Sequence, residues 1–216
     1  MGAWLTPALN IHRSPLCGRN FEYYSEDPFV SGAMAASLIR GIQSQGVAAT
    51  PKHFAFNNKE TNRKHSDSRV SQRAAREIYL KGFEIAVKQA QPMSVMTSYN
   101  RINSVHTANS FDLCTTVLRQ EWGFGGIIMT DWVTTNQGHG SSAVKCVQAG
   151  NDLIMPGNES DILEILDALD AKKDLYLKEQ DLDRCVERML EAILSSDVCP
   201  NSVPYHRETK SLISCA

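Results

Sequence analysis

The sequence predicts an α/β fold in which parallel strands alternate with amphipathic helices. Apolar runs of strand length end in polar residues, and each is followed by apolar residues at helical spacing. The run at 125–132, Gly-Gly-Ile-Ile-Met-Thr-Asp-Trp, stays apolar until it ends in a carboxylate and an aromatic residue. Such a run is typical of a strand that is buried on both faces of a parallel sheet. Alternation of this kind implies right-handed crossover connections.

The elements can be placed in order along the chain. Strands are predicted for about residues 4–12, 47–56, 92–99, 125–131 and 152–155. Helices are predicted for about residues 28–45, 71–90, 110–121, 141–149, 161–172 and 179–194. Residues 57–68 and 100–109 are expected to be polar loops. Ser25 or Asp27 is expected to cap the first helix, with Pro28 in its first turn.

The number of units bears on the architecture. Five strand–helix units can be counted, whereas a closed (β/α)8 barrel has eight strands and about 250 residues. On this count alone, the sheet is either open and doubly wound or part of a barrel whose first units are missing. Residues 1–196 are assigned to one domain. Residues 197–216 are rich in Pro, Ser and Cys without a period and are assigned to an irregular tail.

Composition argues against several classes of protein. The 216 residues carry a formal net charge of −2, and 42% of them are hydrophobic, as in an ordinary globular domain. Basic residues are spread along the chain, so no nucleic-acid partner is predicted. No apolar run approaches membrane-spanning length, so no membrane association is predicted. The N-terminus lacks the features of a secretory signal, so a cytoplasmic location is expected if the chain begins at its natural start.

The cysteines do not indicate a metal site. They lie at positions 17, 114, 146, 185, 199 and 215, with no CxxC pair and no cysteine–histidine spacing. Four of them lie in or beside apolar segments, where a reduced cysteine behaves as a small hydrophobic residue. The sequence therefore predicts no metal ligands.

Polar residues follow the predicted strands at four places. They are Arg13 and Arg19, Lys52 and His53, Tyr99 and Arg101, and Asp131 and Trp132. In a barrel, residues at the carboxyl ends of the strands line the active site. Cations and an imidazole can donate hydrogen bonds to the hydroxyl groups of a sugar, and a flat aromatic ring can pack on its face. A carboxylate can attack an oxocarbenium-like carbon and form a covalent intermediate.

The same residues leave other interpretations open. Asp131 can equally cap the helix or turn that follows its strand. Lys52 can form a buried ion pair or, as in barrel aldolases, a Schiff base, and His53 can be a core histidine. A non-catalytic module that binds a sugar or a partner is a further functional class.

Several segments together resemble glycoside hydrolase family 3, the family of β-glucosidases and β-xylosidases. They are residues 10–19 (Asn-Ile-His-Arg-Ser-Pro-Leu-Cys-Gly-Arg), 22 with 25–28, 52–63 (Lys-His-Phe-Ala-Phe-Asn-Asn-Lys-Glu-Thr-Asn-Arg), 96–100, 127–132 and 149–157. They occur in family order and cover about residues 4–195. The resemblance implies the C-terminal part of a catalytic TIM-type (β/α)8 barrel, with about five to six β/α units present and the first units missing.

The resemblance also implies a role for each matched residue. Asp131 matches the catalytic nucleophile of a retaining β-glycosidase that releases terminal β-linked glucose or xylose through a covalent glycosyl intermediate. Further residues match positions that bind the sugar, flank the nucleophile or form the walls of the subsite: Arg19, Lys52, His53, Met96, Tyr99 and Trp132. Glu22 is expected to brace its loop, and Asn151 and Asp152 to be structural. The mechanism needs no metal or organic cofactor.

The sequence departs from the family pattern at the general acid/base. Most members supply it as a Glu on a second, α/β sandwich domain, and a single-domain branch supplies a His-Asp pair after the Lys-His motif. Here His65 and Asp67 occur in that region without the surrounding Gly-His-Gly pattern, so His65 is interpreted as a solvated loop residue. We therefore expect a truncated or split enzyme, weakly active or inactive alone, whose missing partner is a half-barrel or a sandwich domain.

Overall fold

The computed structural model of the chain describes residues 2–135, 140–170 and 176–194. The helices are α1 (Pro28–Gln43), α2 (Gln72–Ala74), α3 (Lys81–Ala90), α4 (Ala143–Ala149), α5 (Glu159–Ala168) and α6 (Glu179–Leu194). The strands are β1 (Ala3–Trp4), β2 (Ala48–Ala49), β3 (Asp67–Ser68), β4 (Ser94–Met96), β5 (Arg101–Ile102), β6 (Val105–His106) and β7 (Ile127–Met129). Two segments are π-helical, Ala75–Tyr79 and Asp112–Glu121.

A series of parallel pairings connects the predicted strand segments in sequence order. β1 pairs with β2, and β4 pairs with β7 with Val95 opposite Ile128. Isolated parallel bridges extend the series at Ala8–Lys52, Phe54–Thr97 and Met129–Leu153. Helices lie between these segments, so the predicted α/β fold with parallel strands is confirmed.

The regular strands are shorter than the sequence predicts. In the segment predicted as a strand over residues 4–12, only Trp4 of β1 and the bridge at Ala8 are paired. Pro7 has no N–H to donate, and its carbonyl accepts a hydrogen bond from the Lys52 N–H at 2.8 Å. The chain then turns away, since the His12 N–H donates to the Ser25 carbonyl at 3.0 Å.

Helix α1 begins where the sequence predicts. The Asp27 carboxylate accepts hydrogen bonds from the N–H groups of Phe29 and Val30, and Pro28 occupies the first turn. α1 lies so close to α3 that a Cβ atom on Gly32 would lie 2.9 Å from the Gly82 carbonyl oxygen. Because its start and its packed face are both fixed, α1 anchors the end of the loop that carries the candidate residue at position 19.

Two segments expected to be plain loops contain regular structure. Residues 57–68 contain a 3₁₀ turn and β3, and residues 100–109 contain the β5–β6 hairpin, with β3 beside β5. Asn103 and Ser104 have φ values of 47° and 78°, which suit a two-residue hairpin turn. The loop expectation is wrong here because strands of two residues are too short to show alternation in sequence.

The helical segments also differ in detail from the prediction. The helix predicted over residues 71–90 is interrupted by the π-helical turn Ala75–Tyr79. In the segment predicted as a strand over residues 152–155, a single bridge forms, at Leu153. The tail predicted for residues 197–216 lies outside the described residues, and the boundary at residue 196 stays a prediction.

The core and the buried polar residues hold the strands in place. Phe54 packs edge-to-face against Phe83 and Trp122, with ring centroids 5.2 Å and 5.9 Å apart. The fully buried Asp152 carboxylate accepts hydrogen bonds from Arg119 at 2.6 Å and from the N–H of Ile128 at 2.8 Å. The expectation that position 152 is structural is therefore confirmed.

The described cysteines are free thiols in the interior, at positions 17, 114, 146 and 185. Burial raises the pKa of the Cys114, Cys146 and Cys185 thiols to about 12. These three behave as the small hydrophobic residues that the sequence predicts. None of the helices in the described ranges is long and apolar enough to span a membrane.

Candidate active site

The candidate residues Arg19, His53, Tyr99 and Asp131 come from four different segments and meet at the carboxyl ends of the parallel strands. Arg19 contacts the His53 ring, and His53 lies beside Asp131. Tyr99 bonds to the residue that follows Asp131. The structure thus brings together these four of the residues that the sequence places after its strands.

Asp131 lies two residues after the end of β7 and is only 6% exposed. Its Oδ1 atom accepts a hydrogen bond from the Trp132 N–H at 2.7 Å. Its Oδ2 atom is buried without a hydrogen-bond partner among the described residues, 3.6 Å from Nε2 of His53. Burial raises the pKa of the Asp131 carboxyl, while the Trp132 N–H, the charges of Arg63 and Arg19 and the nearby Tyr99 hydroxyl, which itself donates to the Trp132 carbonyl, oppose that rise. An unpaired buried oxygen of this kind is available to a bound ligand.

Asp131 does not cap the next helix. Helix α4 begins twelve residues later, at Ala143, and its N-cap is Ser142. The Ser142 hydroxyl accepts a hydrogen bond from the Lys145 N–H at 3.2 Å. Asp131 therefore caps no helix among the described residues, and its carboxylate bonds only locally, to the N–H of the next residue.

His53 is almost fully buried, and its ring contacts a guanidinium group. Nη1 of Arg19 lies 3.1 Å from Nδ1 of His53 and closer still to Nε2. A guanidinium can only donate, so the ring must accept a hydrogen bond from it. Burial, followed by the charges of Arg19, Lys52 and Arg63, lowers the pKa of His53 well below its usual value. The imidazole is therefore neutral, and its contact with Asp131 is not an ion pair.

Lys52 and Met96 lie in the sheet itself. The Lys52 carbonyl accepts a hydrogen bond from the Leu9 N–H at 2.8 Å, and its half-buried side chain makes no hydrogen bond or ion pair to another described residue. Its charge reaches His53, whose pKa it helps to lower. Met96 is 2% exposed and lies opposite Met129 in the β4–β7 pairing. The structure thus places Lys52 near the imidazole but not in contact with the Asp131 carboxylate.

Tyr99 and Trp132 flank the carboxylate. The Tyr99 hydroxyl donates to the Trp132 carbonyl at 2.5 Å. Burial, with the nearby Asp131 carboxylate, raises the pKa of Tyr99 to about 12, so the phenol keeps its proton at neutral pH. The Trp132 side chain is 49% exposed, which leaves its indole ring available as an aromatic surface.

The loop after Asp131 contains a strained residue that sequence reasoning missed. Val133 has a φ of 59°, a conformation that β-branched residues rarely adopt. Its N–H donates to the Met155 carbonyl at 2.8 Å, and its carbonyl accepts from Nζ of Lys64 at 3.3 Å. The Tyr99 hydroxyl also bonds to the preceding carbonyl, so three segments hold this backbone in place. A strained backbone persists only where the surrounding structure holds it in this way.

Two charged residues that sequence reasoning did not assign also join the site. The Glu60 carboxylate lies 2.7 Å from Arg63 and 3.3 Å from Arg19. The Arg63 guanidinium lies over the Tyr99 ring, 4.5 Å from its centroid. Both residues belong to the family-like segment 52–63, but nothing in their spacing indicates which side chains they contact.

Other residues flagged in the sequence lie at the periphery. Glu22 pairs with Arg19 at 3.4 Å, so its expected bracing role is confirmed. Arg101 lies in β5 and donates to the His65 carbonyl at 3.3 Å, and the His65 side chain is exposed. Over the described ranges, no group of three or more His, Cys, Asp or Glu side chains is placed to hold a metal ion.

The fold and the site together define a class of protein. A buried carboxylate at the carboxyl edge of a parallel β/α sheet, among hydroxyl-binding groups and an aromatic surface, is typical of glycoside hydrolases. The profile of the glycosyl hydrolase family 3 N terminal domain matches residues 2–192. The chain belongs to glycosyl hydrolase family 3.

Known relatives agree with this assignment. The chain is 55% identical over 186 residues to Beta-glucosidase A from Butyrivibrio fibrisolvens, and this match covers 85% of this chain and 22% of the relative. It is 46% identical over 189 residues to an Exo-alpha-(1->6)-L-arabinopyranosidase from Bifidobacterium longum, and this match covers 88% of this chain and 24% of the relative. The structure of beta-glucosidase 3B from Thermotoga neapolitana in complex with glucose matches this chain with 50% sequence identity and a TM-score of 0.84. The match covers 90% of this chain and 27% of that protein. The chain therefore spans about a quarter of the length of these relatives.

Proposed function

We propose that this chain carries the nucleophile and part of the sugar-binding wall of a retaining β-glycosidase that acts on terminal β-linked glucose or xylose. The observation that supports it most is the Oδ2 atom of Asp131, which is buried, unpaired among the described residues and next to the His53 ring. In the first step Oδ2 attacks the anomeric carbon, and the bond to the leaving oxygen breaks as that oxygen is protonated. Water then hydrolyses the glycosyl ester and restores the carboxylate.

The surrounding residues suit the binding of a sugar in this pose. Arg19 and Lys52 donate hydrogen bonds to ring hydroxyls, and the neutral imidazole of His53, whose acceptor nitrogen already faces Arg19, offers its remaining N–H as a donor. Trp132 provides an aromatic face, and Met96, buried in the sheet opposite Met129, would support the wall from behind. Tyr99 holds the backbone beside the nucleophile. Family membership favours this chemistry over a Schiff base at Lys52.

We further propose that the general acid/base and the remaining barrel units come from another segment of a longer protein or from a partner polypeptide. The carboxylates of Glu22 and Glu60, which lie around Arg19, are both paired with arginines, which does not suit a proton donor. Within the described ranges, β1 and the segment at Leu153 are each paired on one side, so both edges can accept further parallel strands. Three additional units would complete a barrel of eight strands. We expect the isolated chain to be weakly active at most.

An activated substrate tests the nucleophile without depending on the acid. The 2,4-dinitrophenyl β-glucoside and β-xyloside need little protonation of the leaving group, so slow turnover is expected from the wild-type chain. Asp131→Asn should abolish that turnover. The control Asp112→Asn changes an exposed carboxylate at a helix start and should leave it intact.

The other outcomes are equally informative. Turnover that survives Asp131→Asn would refute the assignment of the nucleophile. Glucose binding by both proteins without any turnover would favour a sugar-binding module. Borohydride trapping of a keto substrate on Lys52 would instead favour the Schiff-base alternative.

A further inference from the structure

We propose that Glu60 is a positioning residue of this site, whose carboxylate holds Arg19 and Arg63 in place. Arg19 is thereby fixed against the His53 ring, and Arg63 over the Tyr99 ring. The proposal deepens the proposed function and rests on it, because it concerns the groups around the same nucleophile.

The geometry of Glu60 is that of a bridge. Its Oε2 atom lies 2.7 Å from Nη1 of Arg63, and its Oε1 atom lies 3.3 Å from Nε of Arg19. The three side chains are between 23% and 29% exposed, and Oε1 is buried and forms no hydrogen bond with a described residue, so its contact with Arg19 is an ion pair only. Each carboxylate oxygen therefore faces a different guanidinium, in an environment that is only partly screened by water.

The two arginines reach the site through contacts with two different rings. Nη1 of Arg19 lies 3.1 Å from Nδ1 of His53, and the Arg63 guanidinium lies 4.5 Å from the centroid of the Tyr99 ring. Two like charges held close together repel unless a counter-charge lies between them. Without the carboxylate of Glu60, Arg19 keeps only the Glu22 carboxylate at 3.4 Å, and we expect both guanidinium groups to shift away from their contacts in the site.

Loss of this arrangement should alter the nucleophile in a specific direction. The charged or titratable groups that face Asp131 are Arg19, His53, Arg63 and Tyr99. The two arginine charges oppose the rise that burial causes in the Asp131 pKa. If the arginines move away, the Asp131 pKa must rise further.

This direction separates positioning from a simple charge effect. Removing a nearby carboxylate would, through charge alone, lower the pKa of Asp131. In Glu60→Gln the pKa can rise only if the arginines are displaced. Glu60→Asp keeps the charge but is one methylene too short to reach both guanidinium groups. Positioning predicts a rise in this variant too, whereas charge alone predicts no change.

The experiment is a titration of the Asp131 carboxyl by ¹³C NMR in the whole chain, with the signal assigned by its loss in Asp131→Asn. Glu60→Gln, Glu60→Asp and Arg63→Gln should each raise the pKa of Asp131 above the wild-type value. The control Glu77→Gln removes a carboxylate from an exposed pair with Arg73, at 3.0 Å, and should cause no shift.

The proposal is overturned if the Asp131 pKa is lower or unchanged in Glu60→Gln and in Glu60→Asp. Circular dichroism must first show that both variants are folded. If Glu60→Gln does not fold, the more conservative Glu60→Asp decides. The titration needs no turnover, so it can fail while the activity assay succeeds, and the reverse is also possible.

Discussion

The Nε2 atom of His53 lies 3.6 Å from the Oδ2 atom of Asp131, and both side chains are buried. Burial raises the pKa of the carboxyl and lowers the pKa of the imidazole. Burial therefore favours the neutral form of each group, and the two do not behave as a salt bridge. The free energy of unfolding should therefore decrease with rising pH through Asp131 and with falling pH through His53.

For Asp131, the folded-state pKa lies above the unfolded one. Its contribution to stability is present below the unfolded pKa, near 3.8, and is lost as the pH rises through the folded value. At pH 7 the buried charge is therefore a cost, and we expect Asp131→Asn to raise the free energy of unfolding by roughly 1 kcal/mol. Thermal denaturation checks this, and the gain should vanish below pH 3.8. A lower midpoint at pH 7 would contradict it.

For His53, the folded-state pKa lies below the unfolded one, near 6.5. Its contribution is present above pH 6.5 and is lost as the pH falls towards the folded value, at up to about 1.4 kcal/mol per pH unit. His53→Gln should lower stability at pH 7 but flatten this acid slope in urea unfolding. His65→Gln changes an exposed histidine and serves as the control. An acid slope that survives His53→Gln would show that another group titrates.

Val133 offers a test of stored backbone strain. Its φ of 59° favours glycine, so we expect Val133→Gly to be more stable than Val133→Ala by about 1 kcal/mol. At Val30 on helix α1, the same pair of substitutions should show the usual order, with alanine more stable by about 1 kcal/mol. Chemical denaturation of the four variants checks the inversion. If alanine is the more stable residue at both positions, the strain at Val133 is refuted.

The sequence predicts well the features that depend on local pattern. The apolar run before Asp131 identifies a buried parallel strand, and parallel strands place their carboxyl ends at one edge. The convergence of Arg19, His53 and Asp131 follows from that rule. The cap at Asp27 follows from a residue type that needs only its own helix start.

The features that depend on tertiary contacts could not be predicted. Glu60 and Arg63 lie in a loop, and their contacts are determined by where that loop folds back over Tyr99. The left-handed backbone of Val133 is held by bonds from distant segments, although valine itself disfavours it. No local propensity indicates either arrangement.

Gly126 gives a prediction that links packing to the site. A Cβ atom there would lie 2.3 Å from the Met93 carbonyl oxygen, which accepts the Ile127 N–H that starts β7. Since backbone cannot yield cheaply, Gly126→Ala should lower the free energy of unfolding by about 2 kcal/mol and shift the strand that ends at Asp131. A Cβ on the adjacent Gly125 meets nothing within 4 Å, so Gly125→Ala should be neutral or slightly stabilising. Equal urea midpoints for both variants would show that the close approach at Gly126 is not required for the fold.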